Sequence, residues 1–287
     1  MPIQAFHLPQ VRSIAFTRPF TWLVLGWRDM VRAGAVSVIH GVLMALSGMV
    51  IAAVAHDRFW LLAGALSGFL VVAPVLATSF YVLSRSLERG EPANAATVVR
   101  TWLFWQSSHR NKFENDYWCL VQFGALLALA ATGWVLISSA LITLLAPAPI
   151  RTPADFIVHV VLAQDSTLFT LWLALGSLLA APIFASSVVS IPLLLDRQAT
   201  LWQAVLTSWQ TVLANPATMA MWTAVILALT MLGMATLFVG LIVVMPLLGH
   251  ASWHAYRDLV DASSLPEREP GGPASGQDTT QSSGMAS

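Results

Sequence analysis

The sequence predicts an all-α fold: a polytopic membrane bundle of six transmembrane helices, arranged as three repeated hairpins, each preceded by an amphipathic interfacial helix. Three observations carry this prediction. Of the 287 residues 57% are apolar and only 10% charged, with a mean hydropathy of +0.72, whereas a soluble domain carries roughly 25% charged residues. Long runs without Asp, Glu, Lys or Arg recur along the chain. A G-x-x-x-x-x-P motif appears three times, each time inside the second helix of an expected hairpin.

A helix crossing the hydrocarbon core needs about 20 residues. Runs 35–55 and 59–84 meet this and are separated only by His56, Asp57 and Arg58. Runs 119–146 and 167–195 are uncharged and flank a proline-rich loop that holds Arg151, Asp155 and Asp165. Between Arg197 and Arg257 no residue carries a formal charge, and Asn215-Pro216 breaks the stretch. The remaining length is about twice a bilayer if helical, which predicts spans 217–234 and 236–257 turning near Gly233 to Thr236. Residues 1–34 then form an N-terminal segment with an interfacial helix, 35–260 the membrane domain, and 261–287, rich in Gly, Ser, Pro, Gln and Thr, a disordered tail. No cleavable leader is expected, because the first apolar run follows a segment with four arginines.

Cytoplasmic flanks of spans collect Lys and Arg. Six spans place twelve of the fourteen cationic residues on one side and only Arg58 and Arg151 on the other, so both termini are expected in the cytoplasm. Five spans would give ten against four.

The repeated motifs are Gly68 to Pro74, Gly176 to Pro182 and Gly240 to Pro246. Around the first and third, Tyr81 aligns with Trp253, Arg85 with Arg257 and Leu87 with Leu259; around the first and second, Leu87-Glu88-Arg89 aligns with Leu195-Asp196-Arg197. Consistent offsets mark duplication. Tryptophan-bearing amphipathic segments at 19–33, about 92–106 and 199–214 precede the copies. In the first, Phe20, Leu23, Val24, Trp27, Met30 and Val31 share one face and Arg28, Asp29 and Arg32 another, the pattern of a helix in the headgroup layer. Each proline frees a carbonyl four residues earlier, at Leu70, Leu178 and Ile242. That carbonyl either accommodates a packing kink or lines a polar cavity.

The richest chemistry lies at Gly249-His250-Ala251-Ser252-Trp253-His254-Ala255-Tyr256-Arg257. His250, Trp253, His254 and Arg257 fall on one helical face. Histidines at i and i+4 suit a metal ion, and His40, at similar expected depth, would complete a three-histidine site. The alternative is that the histidines bond neighbouring helices while Arg257 snorkels to phosphates. His250 is repeat-equivalent to Thr78 and Ser186, so these three, with Trp253 and Arg257, are polar site candidates.

Zero net charge excludes long nucleic-acid contacts. A single cysteine, Cys119, excludes internal disulfides and multi-cysteine clusters. No nucleophile elbow, P-loop or H-E-x-x-H motif is present. The chain therefore reads as a non-enzymatic membrane protein without a cofactor, in an accessory, scaffolding or assembly role. Its expected partners are membrane lipids and other membrane proteins. A metal- or haem-handling protein, or a passive small-molecule channel, using His250, His254 and His40 is the alternative.

Trp22-x-x-x-Gly26-Trp27-Arg28-Asp29, the exit Ser84-Arg85 to Gly90-Glu91, Leu194-Leu195-Asp196-Arg197 and the stretch Pro246 to Arg257 together resemble a bacterial, mainly proteobacterial, integral membrane family of unknown function. The resemblance spans about residues 10–260 and is most specific in the last motif. It implies an inner-membrane location and supplies no activity, cofactor or catalytic residue.

Overall fold

The computed structural model describes residues 8–55, 77–107, 118–163 and 167–268. A short strand β1 (Gln10–Val11) leads into α1 (Arg18–Ala33) and α2 (Ala35–Ala55), and the described part of α3 covers residues 77–88. There follow α4 (Ala95–Ser107), α5 (Trp118–Leu145), the short α6 (Pro153–Phe156) continued by a wide turn at Ile157–Val161, and α7 (Thr167–Ser187). The chain ends in α8 (Ser190–Asp196), α9 (Leu201–Ala214), α10 (Pro216–Ala235), α11 (Leu241–Leu259) and β2 (Val260–Asp261).

Four helical stretches among the described residues are long and apolar enough to cross a membrane: Ala35–Val54, Val121–Leu145, Thr167–Asp196 and Pro216–Ala235. They match four of the expected spans. The expected span 59–84 and the first Gly-Pro motif, with Leu70, lie largely outside the described residues. The expected span 236–257 forms α11, which stands apart from those four because His250, His254, Arg257 and Asp258 make its C-terminal half polar. α11 is instead the hub, packed against α1, α2, α8 and α10. The predicted run 167–195 is divided at Val189, whose amide is taken up by the Ser208 hydroxyl of α9 at 3.3 Å.

The turn into α11 lies at 236–240, slightly beyond the expected place. Leu237 and Phe238 both adopt positive φ there, 54° and 69°, a conformation that costs an L residue about 1–2 kcal/mol. Thr236 supports the turn by accepting the Gly240 amide at 2.8 Å. Phe238 is seated in a notch of α2, where a Cβ on Gly48 would come within 2.7 Å of its ring.

The faces of α1 differ from the simple amphipathic reading. Trp22, Gly26, Asp29, Met30 and Ala33 are buried, with Gly26 so near α11 that a Cβ would stand 2.7 Å from the Ala251 amide nitrogen. Phe20, Val24, Trp27 and Val31 point outward and are 50–60% exposed. Helix α9, opened by a Thr200–Gln203 capping box, repeats the arrangement: Ala204, Thr207, Ser208 and Thr211 face inward, and Trp202, Leu206, Trp209 and Leu213 face outward. The small inner side chains permit close backbone approach, which is why the large apolar ones are left outside.

The helical fold matches the expected class, and the chain ends add detail to it. One short antiparallel pairing joins the two ends, Gln10 with Asp261 and Val11 with Val260. The tail expected to be disordered from 261 is packed through Arg268: Ala262 and Leu265 are buried, and the Gln198 amide donates to the Pro266 carbonyl at 3.0 Å. Backbone pairing holds this segment where side-chain composition gave no sign of order.

Candidate functional site

The polar half of α11 reaches a different neighbour at almost every step. His250 is fully buried, and both its ring nitrogens are engaged: Nε2 with the Ser37 hydroxyl of α2 at 2.8 Å and Nδ1 with the Ser84 hydroxyl of α3 at 2.7 Å. One turn on, His254 Nε2 meets Asp29 of α1 at 2.8 Å. Burial pushes the Asp29 carboxyl up, but hydrogen bonds from His254 and Ser84 and the charges of the imidazoles outweigh it, holding Asp29 below the usual carboxylate range. Ser37, His250, Ser84, Asp29 and His254 thus form one continuous polar chain linking α2, α3, α1 and α11.

On the other side of α11, Trp253 Nε1 donates to Glu88 of α3 at 2.9 Å, and Arg257 pairs with the same carboxylate at 2.9 Å. Tyr256 donates its hydroxyl to Asp196 of α8 at 2.9 Å. Asp258 accepts from Arg18 at 2.6 Å and from the Trp22 indole at 2.9 Å. Asp196 is buried and lies 3.0 Å from Arg85 and 3.1 Å from Arg197, with Arg89 and Arg257 both at 3.9 Å. Glu267 closes this cluster from the C-terminal segment, 2.6 Å from Arg89 and 3.3 Å from Arg197.

The residues singled out from the sequence fall into separate places. His40 engages the carbonyl of Val36 through Nδ1 at 2.7 Å, and Phe80 packs edge-on against both His40 and His250. Among the described residues no three His, Cys, Asp or Glu side chains gather as a metal-holding group. A metal at His250 would have to displace one of the serines that its two ring nitrogens already hold. Thr78 is buried in α3, while Ser186 accepts the Trp209 indole of α9 at 2.9 Å. Thus Ser186 is engaged on the α7–α9 side, while His250 holds Ser37 and Ser84. Arg257 is tied to Glu88, because α3 brings a carboxylate within reach.

Sequence reasoning missed Ser37, and it named Asp29, Ser84 and Glu88 only within motifs, not as partners of α11. A signal existed for Asp29, an acid on the helical face of Trp22 and Gly26. Ser37 and Ser84 carried none, since serine is common in membrane helices.

Several helical stretches long and apolar enough to cross a membrane mark a multi-pass integral membrane protein of helical type. Residues 61–196 match the model of a family described as "Predicted integral membrane protein (DUF2189)", which has no assigned function. The matched stretch holds Ser84, Arg85, Glu88, Arg89 and Asp196 and ends before α9, so the His250 motif lies beyond it. No curated protein and no solved structure matches the chain.

Proposed function

We propose that this chain is a non-enzymatic, six-span protein of the bacterial inner membrane, with both termini cytoplasmic and an accessory scaffolding or assembly role exerted through helix contacts. The observation that carries this reading is the commitment of His250, Trp253, His254, Tyr256 and Arg257 to side chains of α1, α2, α3 and α8. The motif with the richest chemistry is used to hold helices together. Its groups act as a structural clamp, and the lipid-facing surfaces of α5 and α7 are left for contacts with other membrane proteins.

The charge bias supports the orientation. The threefold repeat gains support from Asp196, where ion pairs join Arg85 of the first unit, Arg197 of the second and Arg257 of the third. The outward stripes of α1 and α9 suit helices lying in the headgroup layer.

The test is elemental analysis with a visible spectrum on detergent-purified protein, wild type beside a His250→Ala/His254→Ala double variant. The clamp reading expects no stoichiometric metal or chromophore in either sample and a lower melting temperature in the variant. A metal or haem band lost in the variant would replace it with cofactor handling.

A further inference from the structure

Helix α1 carries a second feature beside its apolar stripe. Val24, Arg28 and Arg32 follow one another at i, i+4 and i+8, so the two arginines continue the margin of the stripe formed by Phe20, Val24, Trp27 and Val31. Both are exposed, and among the described residues neither meets a carboxylate. Six other arginines among the described residues do pair with a carboxylate. Arg12 pairs with Asp261, Arg18 with Asp258, Arg85 and Arg197 with Asp196, Arg89 with Glu267 and Arg257 with Glu88. The only acid of α1, Asp29, sits beside Arg28 in sequence but is turned inward and held by His254. A single residue, Gly34, joins α1 to the membrane-spanning α2, so the stripe lies at the level where that span leaves the bilayer.

We infer that Arg28 and Arg32 bind the phosphates of anionic phospholipids, with Phe20, Val24, Trp27 and Val31 inserted beneath them at the acyl boundary. An apolar face bordered by unneutralised arginines fits a negatively charged leaflet: the rings and branched side chains enter the boundary, and the guanidiniums reach the phosphate layer by extending along the helix margin. This rests on the reading of α1 as an interfacial helix. Helix α9 presents a comparable apolar stripe, Trp202, Leu206, Trp209 and Leu213, with no Lys or Arg between Leu201 and Ala214, so the charge selectivity is assigned to α1.

The experiment uses the full chain in bilayers of phosphatidylcholine mixed with phosphatidylglycerol, extracted gently, with the retained lipids measured by native mass spectrometry. Wild type is expected to enrich phosphatidylglycerol over its bulk fraction. The Arg28→Gln/Arg32→Gln variant should lose that enrichment by about fivefold per arginine at low salt, with an unchanged melting temperature. Arg151→Gln, an exposed arginine on the other predicted side, should retain it. Undiminished enrichment in the double variant, or equal loss in Arg151→Gln, overturns the inference. A nitroxide at Val24→Cys in a Cys119→Ser background reads membrane depth separately. Membrane contact without phosphatidylglycerol enrichment sinks this inference alone, and absence of contact sinks the interfacial reading with it.

Discussion

Gly41 of α2 lies against the carbonyl oxygen of Ile242 in α11, so close that a Cβ at position 41 would overlap it. This is the carbonyl that Pro246, inside α11, leaves without its amide donor. Proline and glycine on different helices therefore work together: one exposes the oxygen, and the other lets a neighbouring backbone cover it.

Gly41→Ala should accordingly destabilise the protein by about 1–3 kcal/mol through overpacking, seen as a lower melting temperature in detergent. Gly133→Ala in α5, where a Cβ meets nothing within 4 Å, should leave the melting temperature unchanged or raise it slightly.

Asp29 sets a lower pH limit. Its carboxyl lies below its ordinary value in the folded protein, against burial, because His254 and Ser84 bond the charged form. The stabilisation is present above the unfolded carboxylate value, about 3.9, and is lost as pH falls through the lower folded value. Melting followed from pH 6 to pH 2 should show stability falling once the pH drops below about 4. Asp29→Asn should be less stable at neutral pH and show a shallower fall.

Much of this was legible in advance because it depends on composition and period. The spans at 35–55, 119–146, 167–195 and 217–234 are apolar runs of bilayer length and reappear as helices. The partners of α11 were not legible. Nothing local to Ser37 or Ser84 distinguishes a serine that meets His250 from one that bonds back to its own helix, as Ser47 does by donating to the Leu43 carbonyl. The outward turn of Trp27 was equally hidden, because in a membrane protein the large apolar face seeks lipid while Gly26 and Asp29 seek α11. The order in 262–268 comes from backbone pairing with 196–198 and from ion pairs of Glu267 with Arg89 and Arg197, distant partners that composition does not encode.

Asp196 holds the exits of α3, α8 and α11 together. Asp196→Asn removes the charge facing the buried Arg85 and should cost about 3–5 kcal/mol. Asp261→Asn, at the exposed pair with Arg12, should change stability little. Unfolding midpoints in mixed micelles compare the two directly.

The central claim is that the His250 motif is a helix clamp. It is tested most directly by a double-mutant cycle between Ser37 and His250, 2.8 Å apart and buried together. Unfolding free energies of Ser37→Ala, His250→Ala and the double variant should give a coupling of about 1 kcal/mol, with His250→Ala the more damaging single change because it strands two hydroxyls. Costs that add with no coupling would mean that the hydrogen bond does not hold α2 to α11, and would contradict the account.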